Sequence, residues 1–179
     1  VDYIVIHTAE LPCRPGIARR LGEVFAKIDT TIDPKTGKPH QKAKSAHFGV
    51  DPDEVFQYVR ESDVAWHCPK ANSRGIGIEH AGYAVNQLHD GKVIATATDW
   101  ASPAAVAMIE RAAKLVAQLC QAWSIPVVRL SPTEIAHGAR GIVGHVDVTR
   151  AFPGSGTHID PGPRWPWARY LDLVASALK

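Results

Sequence analysis

The chain has 179 residues, of which 45% are hydrophobic and 21% charged, with a formal net charge of +2. These values fit one globular domain with a single core and exclude a disordered or fibrous chain. The positive excess is too small to point to nucleic acid, and no stretch approaches the roughly 20 apolar residues of a membrane span.

Val1–Thr8 is dense in β-branched and aromatic residues and reads as a buried strand with His7 near its end. The chain opens inside this segment without a signal-peptide pattern, so it reads as a domain excised from a modular protein. Ile17, Leu21, Val24, Phe25 and Ile28 recur at helical spacing, predicting an amphipathic helix over 16–28. Residues 30–44 form a polar, basic surface loop with turn signals at Asp33-Pro34 and Gly37-Lys38-Pro39, placed where it could line a substrate groove. Ala46–Val50 and Val55–Val59 flank Asp51-Pro52-Asp53-Glu54 and predict a hairpin. Val64–His67 reads as extended, residues 75–81 as a strand, and 86–98 as irregular with a turn at Asp90-Gly91. Ser102-Pro103 is an N-cap and first-turn pair for a long helix ending near Trp123, with Val106, Ile109, Ala113, Val116, Leu119 and Cys120 on its apolar face. Pro126–Leu130 reads as strand-like, Ser131-Pro132 as the start of a short helix, and Gly141–Val146 as the last strand. A Pro/Gly-rich loop over 151–163 precedes a closing helix over 165–178, with Trp167, Tyr170, Leu171, Val174 and Leu178 inward. The expected architecture is one α/β domain over residues 1–179, a central mixed β-sheet flanked by helices.

Cys13, Cys68 and Cys120 show no CxxC spacing and read as buried thiols, with a Cys13–Cys68 bridge as the alternative.

Three separated patches end in residues that ligate metals: His7, His145 after Gly144, and Asp160 before Pro161-Gly162-Pro163. Two neutral imidazoles and a carboxylate are the ligand set of a catalytic zinc that keeps one position open. Alone, each histidine reads equally well as a structural residue and Asp160 as a turn residue; the trio gains weight jointly. Asp147 is the alternative carboxylate, since it shares a face with His145, but it reads better as capping or orienting the following loop. Period-two alternation puts Gly75, Gly77 and Glu79 on one face and Ile76, Ile78 and His80 on the other. A glycine-lined face carrying one carboxylate reads as a cleft floor, with Glu79 as general base and an edge-strand ion pair as the plainer reading. His158 shares a side of the loop with Asp160 and is placed to donate to an oxyanion. His47 and His67 read as packed histidines or supports for a ligand; His40, His89 and His137 fall in polar loops and read as surface residues.

The segments Ile4-Val5-Ile6-His7-Thr8, Ser45-Ala46-His47-Phe48-Gly49-Val50-Asp51, Val64-Ala65-Trp66-His67, Gly75-Ile76-Gly77-Ile78-Glu79, Gly144-His145-Val146-Asp147 and Asp160-Pro161-Gly162-Pro163 with Trp165-Pro166-Trp167 span nearly the whole chain. In this order they resemble the zinc-dependent N-acetylmuramoyl-L-alanine amidases, a family that includes phage endolysins, cell-wall recycling amidases and peptidoglycan recognition proteins. The Ser45–Phe48 and Thr157–Gly162 versions look most like endolysins of phages that infect actinobacteria. The resemblance implies Zn2+ held by His7, His145 and Asp160, Glu79 as catalytic acid and base, and His158 as the oxyanion donor. It further implies a monomer that cleaves the amide between N-acetylmuramic acid and L-alanine in peptidoglycan, acting on the bacterial cell wall, whether exported or released by a phage holin. Two features depart from the pattern: many relatives carry Lys where His158 stands, and the stretch from His145 to Asp160 is longer than in compact relatives. The competing readings are a module that holds peptidoglycan without cutting, a zinc peptidase acting on its peptides, and a protein-binding regulator. The complete ligand set stands against the first, and analysis of digest products separates the second.

Overall fold

The computed structural model describes residues 1–27 and 44–179. Most of the basic loop expected over 30–44, the helix end expected at Ile28, and His40 lie outside the described residues. The order is β1 (Tyr3–Thr8), α1 (Ile17–Phe25), β2 (Phe48–Val50), β3 (Val55–Gln57), β4 (Gly75–His80), β5 (Gln87–His89), β6 (Lys92–Ala95), α2 (Pro103–Trp123), α3 (Pro132–Ala136), β7 (Gly141–Gly144), α4 (His145–Ala151) and α5 (Trp167–Ala177).

Strands β3-β2-β4-β1-β7 form one sheet in that order. The β1 strand pairs in parallel with β4 and β7, β2 pairs in parallel with β4, and only β3 runs antiparallel, as the return arm of the expected hairpin. Every residue of β1 is buried, because helices cover both faces of its sheet position. Ile4, Ile6, Ile76 and Ile78 point to the core beneath α2 and α5. Tyr3 and Val5 point the other way, to a smaller core with Ile135, Val143 and Val148. Truncating a fully buried isoleucine such as Ile6 would cost about 2–5 kcal/mol.

The long helix starts where its sequence requires: the Ser102 side chain accepts from Ala105 N–H, Pro103 needs no donor, and Ser124 ends the helix in the left-handed region. Its buried stripe holds Ile109, Ala113, Val116, Leu119 and Cys120 as expected and adds Ala105, Met108, Ala112 and Ala117, while the expected Val106 is only half-buried. Ser131 and Glu134 cap α3 reciprocally.

Five expectations need correction. The last strand stops at Gly144, and His145 opens α4, because the Asp147 carboxylate accepts from Gly144 N–H and starts a helix there. Residues 86–98 contain the β5–β6 hairpin around Asp90-Gly91, and Val64–His67 is a series of bends. Pro126–Leu130 contributes only an isolated bridge from Arg129 to Ile142. Leu178 is 43% exposed, lying beyond the buried stripe of Tyr170 and Val174. All three cysteines are free thiols, with Cys68 and Cys120 buried and Cys13 partly so.

Candidate active site

The parallel register puts the chemistry at one rim of the sheet. His7 lies directly beside Glu79 across the β1–β4 pair, and Ile6 beside Gly144, so β7 delivers His145 to the other flank of His7. Asp160 reaches the same spot from the long loop, tied there by Val146 N–H donating to its carbonyl at 2.9 Å. The longer stretch between His145 and Asp160 is thus taken up by α4 and a returning loop. Gly162 closes that return at φ +88°, where a Cβ would strike the Ala84 backbone at 2.6 Å.

Ligand-grade atoms of His7, His145 and Asp160 all lie within 4.8 Å of one another. His7 Nδ1 faces Asp160 Oδ2 at 2.9 Å, and His145 Nδ1 faces Oδ1 at 3.4 Å. Both histidines are buried, at 2% and 3% exposure.

The surrounding partners fix the tautomers. His67 Nε2 lies 3.2 Å from the Gly75 carbonyl, which only accepts, so Nε2 carries the proton of that ring. Burial, then the neighbouring imidazoles of His7, His47 and His145, holds His67 well below the ordinary imidazole range, so it is neutral and its Nδ1 is an acceptor. His7 Nε2, 3.0 Å away, must therefore be the donor. A neutral His7 then has only a lone pair at Nδ1, aimed at a carboxylate oxygen. An ionised Asp160 carboxylate likewise only accepts. Two facing acceptors in a buried site call for a cation between them. His145 Nε2 is likewise buried without a partner. The donor set thus fits a divalent metal with two nitrogens and one carboxylate oxygen.

His67 sits on Gly77, where a Cβ would lie 2.4 Å from its Cγ. His47 sits behind it, accepting Gly77 N–H at Nδ1 and donating from Nε2 to the Asp63 carbonyl. The glycine-lined face is the cleft floor expected from the alternation, and it carries a histidine pair as well as Glu79. From the opposite face, His80 donates from Nδ1 to the His7 carbonyl at 2.9 Å and accepts from Tyr170 O–H at 3.1 Å. That chain anchors the strand that carries His7 to α5.

A cavity of about 380 Å³ opens onto the trio, with Glu10, Glu79 and His158 in its lining and Lys44 and Trp66 at its mouth. Glu79 Oε2 is buried with no hydrogen-bond partner. Burial first, then the charges of Asp160 and Glu10, push its carboxyl well above the ordinary range. His158 stacks on His145 with ring centroids 3.8 Å apart, its Nδ1 3.8 Å from Asp160 Oδ1. Burial, and then His145, lowers its basicity, so it offers a neutral N–H.

Asp147 is not in the trio. Its carboxylate accepts from Gly144 N–H and from Arg129, which in turn lies over the Trp167 ring. Helical geometry turns it away from His145. His89 and His137 are exposed, as expected. Sequence reasoning missed Glu10, whose carboxylate accepts from Thr8 O–H, Ala84 N–H and the Gln87 amide. Those contacts join the rim of β1 to a segment more than 70 residues away, and no local pattern encodes them.

Residues 1–163 match the family described as N-acetylmuramoyl-L-alanine amidase. Amidase A of Achromobacter lyticus is 28% identical over 143 residues, 73% of this chain and 68% of that protein. The 1,6-anhydro-N-acetylmuramyl-L-alanine amidase AmpD of Haemophilus influenzae is 26% identical over 97% of this chain and 83% of its own length. Among solved structures, the E. coli amidase AmiD in complex with anhydro-N-acetylmuramic acid-L-Ala-D-γ-Glu-L-Lys superposes with a TM-score of 0.60. That match has 18% identity and covers 97% of this chain and 57% of AmiD. The match over residues 1–163 makes the chain a member of the N-acetylmuramoyl-L-alanine amidase family, and so a hydrolase of the amide that joins muramic acid to L-alanine in peptidoglycan.

Proposed function

We propose that this amidase is zinc-dependent, with His7, His145 and Asp160 as the ligands, Glu79 as the proton carrier and His158 as the oxyanion donor. The single observation that carries the reading is the His7 lone pair aimed at the Asp160 carboxylate, with an unpartnered His145 nitrogen beside them. A zinc ion there would bring the pKa of a bound water to about 7 and polarise the substrate carbonyl.

The chain's own residues do the rest. Glu79 Oε2, buried and unpaired, accepts the proton of the attacking water. The carboxyl then delivers that proton to the nitrogen of L-alanine as the C–N bond breaks, leaving a lactyl carboxylate and a free amine. Its raised proton affinity suits the second half of that task, and a cation bound at the trio would favour the ionised form for the first. His158 supplies an N–H to the oxygen that gains charge in the tetrahedral state, in place of a lysine. His67 holds His7 in the tautomer that leaves Nδ1 free, a support of the kind that raises ligand basicity.

The substrate in this reading is a muramoyl peptide of the L-Ala-D-γ-Glu-L-Lys type that AmiD binds. The whole of 1–179 is read as one catalytic domain, a monomer acting on the bacterial cell wall and derived from a phage endolysin. No helix among the described residues is long and apolar enough to cross a membrane. The test is zinc stripping and add-back on a defined muropeptide, with Glu79→Gln as control. The expected result is activity that falls on chelation and returns with zinc, and a variant that keeps its metal but turns over at least 100-fold more slowly. Full activity in chelator, or wild-type turnover by Glu79→Gln, would overturn the assignment.

A further inference from the structure

The cleft that receives the stem peptide is lined by three carboxylates, Glu10, Glu79 and Asp160, and among its described lining residues Lys44 is the sole lysine or arginine. Two of the acids are held by neighbours, and the third, Glu79, is the proton carrier of the proposed reaction. Glu10 is held by Thr8, Ala84 and Gln87, and Asp160 by the two imidazoles. Lys44 itself is exposed and makes no ion pair with any described residue. It stands next to Ser45, whose hydroxyl accepts from Trp66 N–H and whose own N–H donates to the Trp66 carbonyl. The base of the lysine is therefore fixed to the cleft wall while its four-carbon stem stays free to swing.

The substrate chemistry supplies the matching group. In a γ-linked D-glutamyl residue the side-chain carboxyl forms the peptide bond, so the α-carboxylate remains free. It hangs on the Cα that follows L-alanine, ~3.8 Å from the alanine Cα. That is one peptide unit beyond the scissile amide, a site where an anion entering an acidic cleft meets repulsion unless a cation faces it. We infer that Lys44 pairs with this α-carboxylate and sets a preference for stems whose second residue carries a free acid over stems in which it is amidated. The inference rests on the amidase reading above, because it needs the scissile amide to lie between the trio and Glu79.

The experiment measures kcat/KM on two synthetic substrates, muramoyl-L-Ala-D-γ-Glu-L-Lys and the same molecule with the α-carboxyl amidated. The readout is the ratio of acid to amide, which is independent of the fraction of protein that is folded or metal-loaded. An ammonium–carboxylate pair at a half-exposed rim is worth about a five-fold effect. Lys44→Gln lowers the ratio by about that factor through KM, Lys44→Glu lowers it further, and Lys44→Arg restores it. A ratio unchanged in Lys44→Gln overturns the assignment of Lys44. If the wild-type protein cuts neither substrate, the amidase reading itself fails, and the two failures are distinct.

Discussion

Replacing Gly77 with alanine probes the proposed metal centre through the backbone, leaving His7, His145 and Asp160 in place. A Cβ at this position would lie 2.4 Å from Cγ and 2.6 Å from Nδ1 of His67. The ring has little room to yield, because Nδ1 accepts from His7 and Nε2 donates to the Gly75 carbonyl. The substitution must therefore push His67 off its partner. Overpacking of this kind costs about 1–3 kcal/mol of stability. Loss of a support to a ligating imidazole weakens metal binding about 10–100-fold, which corresponds to ~1.4–2.7 kcal/mol. Urea unfolding of the metal-free protein and zinc competition against a chromophoric chelator read the two terms separately. His67→Ala should show the loss of zinc affinity by itself. Adding Gly77→Ala to His67→Ala should then cost little more, since the clash has been removed, giving a coupling of more than ~1 kcal/mol in the cycle. Additive losses, or wild-type zinc affinity in His67→Ala, would refute the role given to this histidine.

Tyr170→Phe leaves the His80 Nε2 acceptor unpaired in the core and should cost about 1–3 kcal/mol in urea unfolding. Asp147→Ala removes the acceptor for Gly144 N–H and for Arg129; a loss of ~2 kcal/mol is expected, with weaker zinc retention because α4 carries His145. The His80 side chain is pushed down to about 4 by burial, outweighing its hydrogen bond to the His7 carbonyl. Its folded value lies below its unfolded one, so the unfolded chain takes up the extra proton and stability falls as pH drops from about 6.5 towards 4, by at most ~3 kcal/mol. Above that window this residue adds no slope. Metal-free wild type and His80→Asn, unfolded in urea across the window, should differ in slope; parallel profiles would contradict the account.

Much of this was legible because the strands carry local signals. The alternation in Gly75–Glu79 fixes which face bears the carboxylate, and the structure puts that face into the cleft beneath His67. Ser102-Pro103 and Ser131-Pro132 announce their helices by capping chemistry that needs no distant partner. The convergence of His7, His145 and Asp160 was legible only jointly, since no spacing links His7 to partners more than 130 positions away. The error at His145 has a specific cause. An apolar strand reading carried through Gly144, while the signal to stop was the Asp147 carboxylate three residues on, read as capping a loop, or as a rival ligand, and not as opening a helix. The β5–β6 hairpin was missed although Asp90-Gly91 was read as a turn, because its exposed Leu88, Val93 and Ile94 give no core-facing alternation. Glu10 and the His67–His7 hydrogen bond are products of tertiary packing and leave no mark in the local sequence.

The most direct test is a crystal of the zinc-loaded protein measured on both sides of the zinc absorption edge. The account predicts one anomalous peak bonded at about 2.0–2.2 Å to a nitrogen of His7, a nitrogen of His145 and an oxygen of Asp160. A peak held by other residues, or protein that fully hydrolyses the muramoyl amide with no metal at this centre, would contradict it.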